Sequence, residues 1–328
     1  RDLNVPIVLL TNRADRALGL FDELNFWLPE ANNLFFPEPN PLFYEKLPWS
    51  DSTRRERLKV LAELYRGMLP GSQAPEIAPV IVTPIRAVMT RTIPRRDFLK
   101  HSMRLALGDK RDLHETTANW VGLGYEHSSI VVQPGQFSRR GGILDIWSPS
   151  DPLPIRLEFF GDEIDTLRQF NPATQRTEAK LERAIVVPAT EALPIVALQE
   201  DYEGRSLSEL DIPSLYPYPA SMMDFLPDNA LILMDGQEFI EAAVNDIEEE
   251  AIQRRQQMIE QRQLEADAPL PYVTWSEIED SFDKRQVLEL GHTNAGQGSS
   301  LAAHFDPGPR FAGRLKDFQV YLLELARR

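Results

Sequence analysis

The sequence predicts an α/β fold with a parallel sheet, together with a region built from short β-strands. Three observations support this prediction: strand and helix patterns alternate over the first hundred residues, short strand patterns separated by turns occupy about residues 98–190, and the alternation returns from about residue 191. Alternating strands and helices favour a parallel sheet, whereas closely spaced strands joined by turns favour an antiparallel one. The β-rich region is therefore expected to be a second domain, inserted into the first or appended to it.

In the first hundred residues, each short apolar run is followed by a helical pattern. The predicted strands are Pro6–Leu10, Asn33–Phe36 and Val80–Val82. The dipeptide Thr11-Asn12 and the residue Ser50 are good helix N-caps, and Thr83-Pro84 combines a cap with a first-turn proline. We therefore predict that a helix starts after each of these three points.

The middle of the chain has a different pattern. The predicted strands there are Ser129–Val132, Gly142–Trp147, Pro154–Phe160, Ile164–Phe170 and Ala184–Val187. Gly161-Asp162 separates two of these strands at the spacing of a hairpin, and Asn171-Pro172 marks another turn. This order predicts an antiparallel meander.

After residue 191 the α/β pattern resumes. Leu231–Met234 is a predicted strand, and a long helix is predicted from Glu238 to about Leu264 because apolar residues recur on one face of it. A last amphipathic helix is predicted over Leu315–Arg328.

The composition is that of a soluble globular protein, with 42% hydrophobic and 26% charged residues. No apolar run approaches the roughly 18 residues that span a bilayer, and no signal peptide opens the chain. The chain has no cysteine, which excludes disulfides, thiolate nucleophiles and Cys-based zinc sites. We expect a cytoplasmic, monomeric protein, and the start at Arg1 within structured-looking sequence indicates a fragment of a larger one.

The charge distribution bears on nucleic-acid binding. The formal net charge of −15 argues against a surface that binds phosphates all over. Arg86–Arg111 is the exception, with eight Lys and Arg against two Asp. We interpret this stretch as a solvated surface, and the alternative is a local nucleic-acid site.

The sequence predicts no catalytic residue, metal site or cofactor site. Gly291–Ser299 has the glycine spacing of a phosphate-binding loop, but Gln297 stands where the lysine should be and Gly298 where the Mg²⁺-binding hydroxyl should be. The five histidines lack the spacing of metal ligands, and no Gly-x-Ser-x-Gly elbow occurs. Gly291–Ser299 is therefore interpreted as a surface loop.

One strand carries a pattern typical of a binding surface. Strand alternation in Pro154–Phe160 puts Arg156 and Phe160 on the face opposite to its aliphatic residues. If the aliphatic face is core, an arginine and an aromatic side chain lie together in solvent, which is the composition of a protein-binding hot spot. In the alternative, another part of the chain covers Phe160.

Two runs of sequence resemble a known family. Gly135–Ile146, with the letters GQFSRRGGILDI, and Arg156–Ile164, with the letters RLEFFGDEI, resemble the module shared by UvrB and the bacterial transcription-repair coupling factors (Mfd). The resemblance covers most of residues 5–235. The chain is more similar to the N-terminal UvrB-homology module of the coupling factors, because its Pro37–Ser50 segment is short and contains one tyrosine, Tyr44, where UvrB has a tyrosine-rich hairpin.

The resemblance implies a degenerate, helicase-like α/β domain in two pieces, 1a (residues 1–97) and 1b (residues 191–312). Between them lies a β-rich domain 2 (residues 98–190) of the UvrA-binding type, and residues 313–328 form a linker helix. It also implies that this module has no catalysis and no cofactor of its own. ATP, Mg²⁺, double-stranded DNA and RNA polymerase are handled by other domains of the family, which include an ATP-driven DNA translocase.

The resemblance further implies which residues contact UvrA. The contact positions of the family match Arg140, Arg156 and Phe160, and we add the neighbouring Arg139. The expected role is to recruit nucleotide excision repair to stalled transcription. The alternative is a fragment of a UvrB-type ATP-dependent DNA helicase, which ATP hydrolysis or strand separation by the chain would support.

Overall fold

A computed structural model describes residues 4–69, 75–198, 207–290 and 315–325. It divides into two compact units, Arg1–Glu289 and Leu290–Arg328. The strands described are β1 (Ile7–Thr11), β2 (Asn32–Phe35), β3 (Pro79–Pro84), β4 (Met103–Ala106), β5 (Glu126–His127), β6 (Gln136–Arg140), β7 (Ile143–Ile146), β8 (Ile155–Phe160), β9 (Glu163–Phe170), β10 (Thr177–Lys180), β11 (Arg183–Val186), β12 (Leu231–Asp235) and β13 (Gln286–Leu290).

The helices described are α1 (Ala14–Trp27), α2 (Asp51–Leu64), α3 (Ile85–Met89), α4 (Arg95–Lys100), α5 (Leu113–Gly122), α6 (Pro194–Ala197), α7 (Ile212–Leu215), α8 (Gln237–Glu260), α9 (Trp275–Phe282) and α10 (Leu315–Leu325). In the described part of the chain, no helix is both long enough and apolar enough to cross a membrane.

The first unit contains three sheets. One has five strands in the order β13-β12-β1-β3-β2, and β1 runs parallel to both β12 and β3. A second has six strands in the order β10-β9-β8-β7-β6-β5 and is antiparallel from β6 to β10. The third pairs β4 with β11. The predicted combination of a parallel sheet and a strand-rich region is therefore confirmed.

Helices cover both faces of the parallel sheet. On β1, Val8 and Leu10 belong to the large core that includes α2 and α8, whereas Leu9 packs with α1 on the other face. Burial on both faces is what a parallel sheet requires, and it explains why the central strands β1, β3 and β12 are mostly apolar. The six-stranded sheet has a core of its own, in which Trp120 of α5 and Leu157 of β8 are fully buried.

Two boundaries differ from the prediction at the helices. The first helix begins at Ala14 with Arg13 as its N-cap, and no side chain caps it, although Thr11-Asn12 was expected to do so. The long helix of the last part ends at Glu260 rather than near Leu264. The start near Ser50 is confirmed, because its hydroxyl accepts the backbone N–H of Thr53 at 3.2 Å.

The expected strand Ser129–Val132 is wrong. These residues form a loop between β5 and β6, in which Val131 is buried while Ile130 and Val132 are exposed. The hydroxyl of Ser128 donates to the carbonyl of Ile130 at 2.8 Å and holds the start of this loop. The three apolar residues therefore do not pair with a neighbouring strand, and the actual strand, β6, lies further along the chain.

A buried ion pair joins α2 to the two segments that connect the parallel and six-stranded sheets. The guanidinium of Arg57 donates from Nε to Glu191 at 2.6 Å, and both side chains are fully buried. Thr92, which precedes α4, donates its hydroxyl to the same carboxylate. The rings of Phe36 and Trp49 lie 4.3 and 4.7 Å from the Arg57 guanidinium carbon. This charged cluster thus connects the segment before α4, which leaves the parallel sheet, to the segment after β11, which returns to it.

Candidate partner-binding face of the six-stranded sheet

The register of the six-stranded sheet separates two faces. On one face, Leu144 lies opposite Leu157, and both side chains are buried in the core. On the other, which we call the outer face, Asp145 lies opposite Arg156 and Arg140 lies opposite Ile143. Strand alternation therefore places the arginines of β6 and β8 on the same side of the sheet, away from the core.

Asp145 is the centre of the outer face. Its side chain is 1% exposed, although it carries a carboxylate in a strand of apolar residues. Arg156 donates to it twice, from Nε at 2.6 Å and from Nη2 at 2.8 Å, and Arg140 donates from Nη2 at 2.9 Å. A buried carboxylate is costly unless it is paired and hydrogen-bonded. The two arginines therefore allow Asp145 to be buried.

Arg156 is largely enclosed. Its side chain is 13% exposed, its Nη2 also donates to Gln175 at 2.8 Å, and its guanidinium carbon lies 4.4 Å from the ring centre of Phe170. The hydrogen bond to Asp145 is the main reason that the pKa of Arg156 lies above its ordinary value. The expectation that Arg156 presents its guanidinium to solvent is therefore wrong, because the forked donor faces Asp145. Contact with a partner stays a prediction for this residue.

Phe160 is open to solvent, with 83% of its surface exposed at the end of β8. The predicted hairpin is confirmed, since β8 and β9 pair directly and Gly161 takes the positive φ of 67° that the turn requires. The N–H of Phe159 donates to the carbonyl of Gly142 at 2.9 Å, so the turn after Arg140 lies beside the end of β8. Phe160 and Arg140 thus occupy the same end of the sheet.

Arg139 lies on the opposite face from Arg140. In the register it pairs with Leu144, whose side chain faces the core. Its charge is a minor contributor to the lowered pKa of Asp112 at the start of α5, where the chief cause is the hydrogen bond from the N–H of Glu115. The structure therefore brings together Arg140, Arg156 and Phe160, and it separates Arg139 from them.

Two charged residues of the outer face, Asp145 and Arg168, were not predicted to lie there, whereas strand alternation had already placed Glu158 on the face of Arg156. Arg168 on β9 lies directly opposite Arg156, and it donates to Glu158, which also accepts the hydroxyl of Thr166 at 2.9 Å. Asp145 thus pairs with Arg156, and Glu158 pairs with the neighbouring Arg168. The sequence signal for Asp145 was a lone carboxylate within the apolar run Ile143–Ile146, whereas the pairing of Arg168 depends on the register.

The basic stretch Arg86–Arg111 does not form a free cationic surface. Most of its arginines have partners within the chain: Arg86 with Glu38, Arg91 with Glu277, Arg95 with Tyr65, and Arg104 and Arg111 with Asp109. Charges that are already paired offer little to phosphates. This pairing disfavours a nucleic-acid site. The interpretation as a solvated surface is wrong for the first part of the stretch, because Arg86 is 9% exposed and Ala87–Met89 lie in the core.

The structure also bears on metal binding, whereas it does not describe the glycine-rich loop. Among the described residues, no group of three or more His, Asp or Glu side chains is arranged to hold a metal ion. The loop Gly291–Ser299 lies outside the described residues, so its interpretation as a surface loop stays a prediction.

Comparison with known proteins gives the family context. Residues 103–191, which run from β4 to β11, match the UvrB interaction domain. The chain is 26% identical over 309 residues to the transcription-repair-coupling factor of Bacillus subtilis (strain 168). The matched region covers 83% of the chain and 26% of that relative. It is 26% identical over 346 residues to that of Myxococcus xanthus, covering 93% of the chain and 28% of the relative.

A shorter match is to the coupling factor of Escherichia coli (strain K12), with 29% identity over 188 residues, or 57% of the chain and 15% of the relative. The chain thus spans about a quarter of the length of the first two relatives. The resemblance predicted from the sequence is confirmed: the chain is similar to the transcription-repair-coupling factors over most of its length, and its residues 103–191 match the UvrB interaction domain.

Proposed function

We propose that this chain binds UvrA through the outer face of the six-stranded sheet, with Phe160 and Arg140 in direct contact with the partner. The observation that carries the proposal is the 83% exposure of Phe160, next to a half-exposed Arg140 at the same end of a paired sheet. Large aromatic and arginine side chains dominate the energies of protein interfaces. Exposure alone does not mark a binding site, because Phe239 is also exposed; the pairing of an exposed aromatic with an arginine at one end of a sheet is what favours a partner that buries Phe160.

The two residues would contribute in different ways. Burial of an exposed phenylalanine side chain is worth about 1.5–3 kcal/mol. Arg140 uses Nη2 for Asp145, and its 49% exposure leaves the guanidinium accessible to a carboxylate of the partner. The apolar contact would supply affinity, and the charged contact would fix the orientation of the partner.

The wider role is part of the same proposal. The α/β domain in two pieces, residues 1–97 and 191–312, would carry the β-rich domain of residues 98–190, with a linker helix over residues 313–328. In the parent protein this module would recruit UvrA to stalled RNA polymerase, while motor domains act on DNA and ATP. The module itself would be a non-catalytic, cytoplasmic monomer. ATP hydrolysis by the purified chain would contradict that part and favour a UvrB-type helicase fragment.

Titration calorimetry of the chain against UvrA tests the proposal. We expect saturable binding, and a loss of about tenfold or more in affinity for Phe160→Ala and for Arg140→Ala, in line with hot-spot truncations of at least about 1.4 kcal/mol. Phe239→Ala on α8 is the matched control, because Phe239 is 60% exposed on a different part of the fold. Circular dichroism establishes that each variant is folded.

The outcomes separate the partner from the surface. Equal affinity of Phe160→Ala and the wild type would show that UvrA uses another surface. Absence of binding by the folded wild-type chain would overturn the proposed function.

A further inference from the structure

We infer that Asp145 is a positioning residue for the proposed UvrA contact: it sets the guanidinium of Arg140 on the outer face and holds Arg156 as support behind it. This inference rests on the proposed function and deepens it. It assigns the direct ionic contact to Arg140, and it assigns to Arg156 an action through Asp145. It also defines the chemistry of the partner, which would present a carboxylate to Arg140 and an apolar pocket to Phe160.

The first argument is the use of hydrogen-bond donors. A guanidinium has five N–H donors in a fixed fork. Arg156 directs Nε and Nη2 at Asp145 and Nη2 also at Gln175, and its side chain is 13% exposed. Arg140 directs Nη2 at Asp145 and is 49% exposed. The guanidinium of Arg156 is thus engaged internally, whereas Arg140 uses one nitrogen for Asp145 and remains half-exposed.

The second argument is the shared oxygen. Oδ2 of Asp145 accepts from both Arg140 and Arg156, at 2.9 and 2.8 Å, so one buried atom fixes the two guanidinium groups relative to each other. Arg168 lies directly opposite Arg156 on the next strand, and its own charge is paired with Glu158. Without the carboxylate, the like charges would repel, and Arg140 would turn into solvent.

The third argument is conformational entropy. A free arginine side chain carries about 2 kcal/mol of rotamer entropy, which is lost when a partner immobilises it. A side chain that is already held in its bound direction loses less on binding, which is the general effect of preorganisation. Asp145 is suited to this task because it is 1% exposed and cannot itself reach a partner. Its effect on binding must therefore pass through the arginines that it bonds, of which Arg140 is the more exposed.

The alternative is that Asp145 only stabilises the sheet. A double-mutant cycle distinguishes the two roles, with Asp145→Asn as the variant because Asn keeps the shape and one acceptor oxygen while removing the charge. UvrA affinity is measured for Asp145→Asn in the wild-type, Arg140→Ala and Phe160→Ala backgrounds. We expect a loss of about fivefold or more in the wild-type and Phe160→Ala backgrounds, and less than about twofold in the Arg140→Ala background. Equal losses in all three backgrounds would overturn the inference.

A second measurement does not use UvrA, so it separates this inference from the proposed function. NMR of arginine side chains reports how freely each guanidinium turns about its Nε–Cζ bond. In the wild-type chain we expect slower rotation for Arg140, which lies 2.9 Å from the buried Asp145, than for Arg55, which has a similar side-chain exposure of 42% and lies 3.5 Å from the partly exposed side chain of Glu56. Rotation of Arg140 as fast as that of Arg55 would refute the positioning role, even if Asp145→Asn failed to fold. If the wild type does not bind UvrA but Arg140 is restrained, the proposed function fails and the geometric role of Asp145 stands.

Discussion

Glu191→Gln tests how strongly the fold depends on its buried ion pair. Glu191 and Arg57 are both fully buried, and the guanidinium lies between the rings of Phe36 and Trp49. Removal of one partner from a buried pair leaves an uncompensated charge and costs about 3–5 kcal/mol. Gln retains an acceptor for the guanidinium and for Thr92, so we expect about 3 kcal/mol. That is a large part of the roughly 5–15 kcal/mol by which a protein of this kind is stable.

The measurement is the free energy of unfolding in urea, followed by circular dichroism at constant pH. Arg57→Met leaves the Glu191 carboxylate unpaired and should cost a similar amount. The double variant Arg57→Met/Glu191→Gln should cost about 2 kcal/mol or more less than the sum, because no buried charge remains. Asp15→Asn is the control, since the Asp15–Arg13 pair is about 70% exposed and such pairs are worth about 0–1 kcal/mol. A loss below about 1 kcal/mol for Glu191→Gln, or additivity of the two changes, would refute this reasoning.

Three further predictions concern stability. Burial raises the pKa of Asp151 to about 7 from 3.8, so its contribution is present in acid and is lost as pH rises from about 4 to about 7. Each pKa unit is worth about 1.4 kcal/mol, so urea unfolding at several pH values should show that Asp151→Asn gains up to about 4 kcal/mol relative to the wild type over that range and nothing further above it. Gly124→Ala should lower stability by about 2 kcal/mol or more, measured by thermal unfolding, because Gly124 has a φ of 86° and a Cβ there would lie 2.3 Å from Thr190. Arg156→Ala should cost about 3 kcal/mol in urea and Arg140→Ala less than about 1, since Arg156 makes two bonds to the same buried carboxylate; equal costs would contradict this ranking.

Much of the architecture follows from local patterns. The central strands of the parallel sheet, β1, β3 and β12, are mostly apolar because helices cover both faces. The β8–β9 hairpin is marked by Gly161-Asp162. The loop at Ser129–Val132 shows the limit of this approach. Its apolar residues look like a strand, but only Val131 finds a place in the core. Whether an apolar run is paired depends on neighbours distant in sequence, which periodicity does not report.

For the candidate site, too, local patterns predicted one part, and contacts between distant residues determined the rest. Alternation within β8 was sufficient to put Arg156 and Phe160 on one face, and the exposure of Phe160 agrees with it. What alternation does not contain is the register between β7 and β8, which sets Asp145 opposite Arg156 and turns the arginine inward. Adjacent residues of one strand point to opposite faces, so Arg139 was separated from Arg140 by the same rule that joined the other two.

The charge of the outer face explains how a chain with a net charge of −15 could bind a partner through an arginine. Three arginines and two carboxylates meet there, and the carboxylates, Asp145 and Glu158, are already bonded to arginines of the same face. The positive charge that is left is concentrated at the half-exposed Arg140, beside an aromatic side chain. At distances beyond the Debye length of about 8 Å, salt screens the overall repulsion of an acidic partner. Under the proposed function, the short-range contact at Arg140 would fix the orientation of the partner, while burial of Phe160 would add affinity that does not depend on salt.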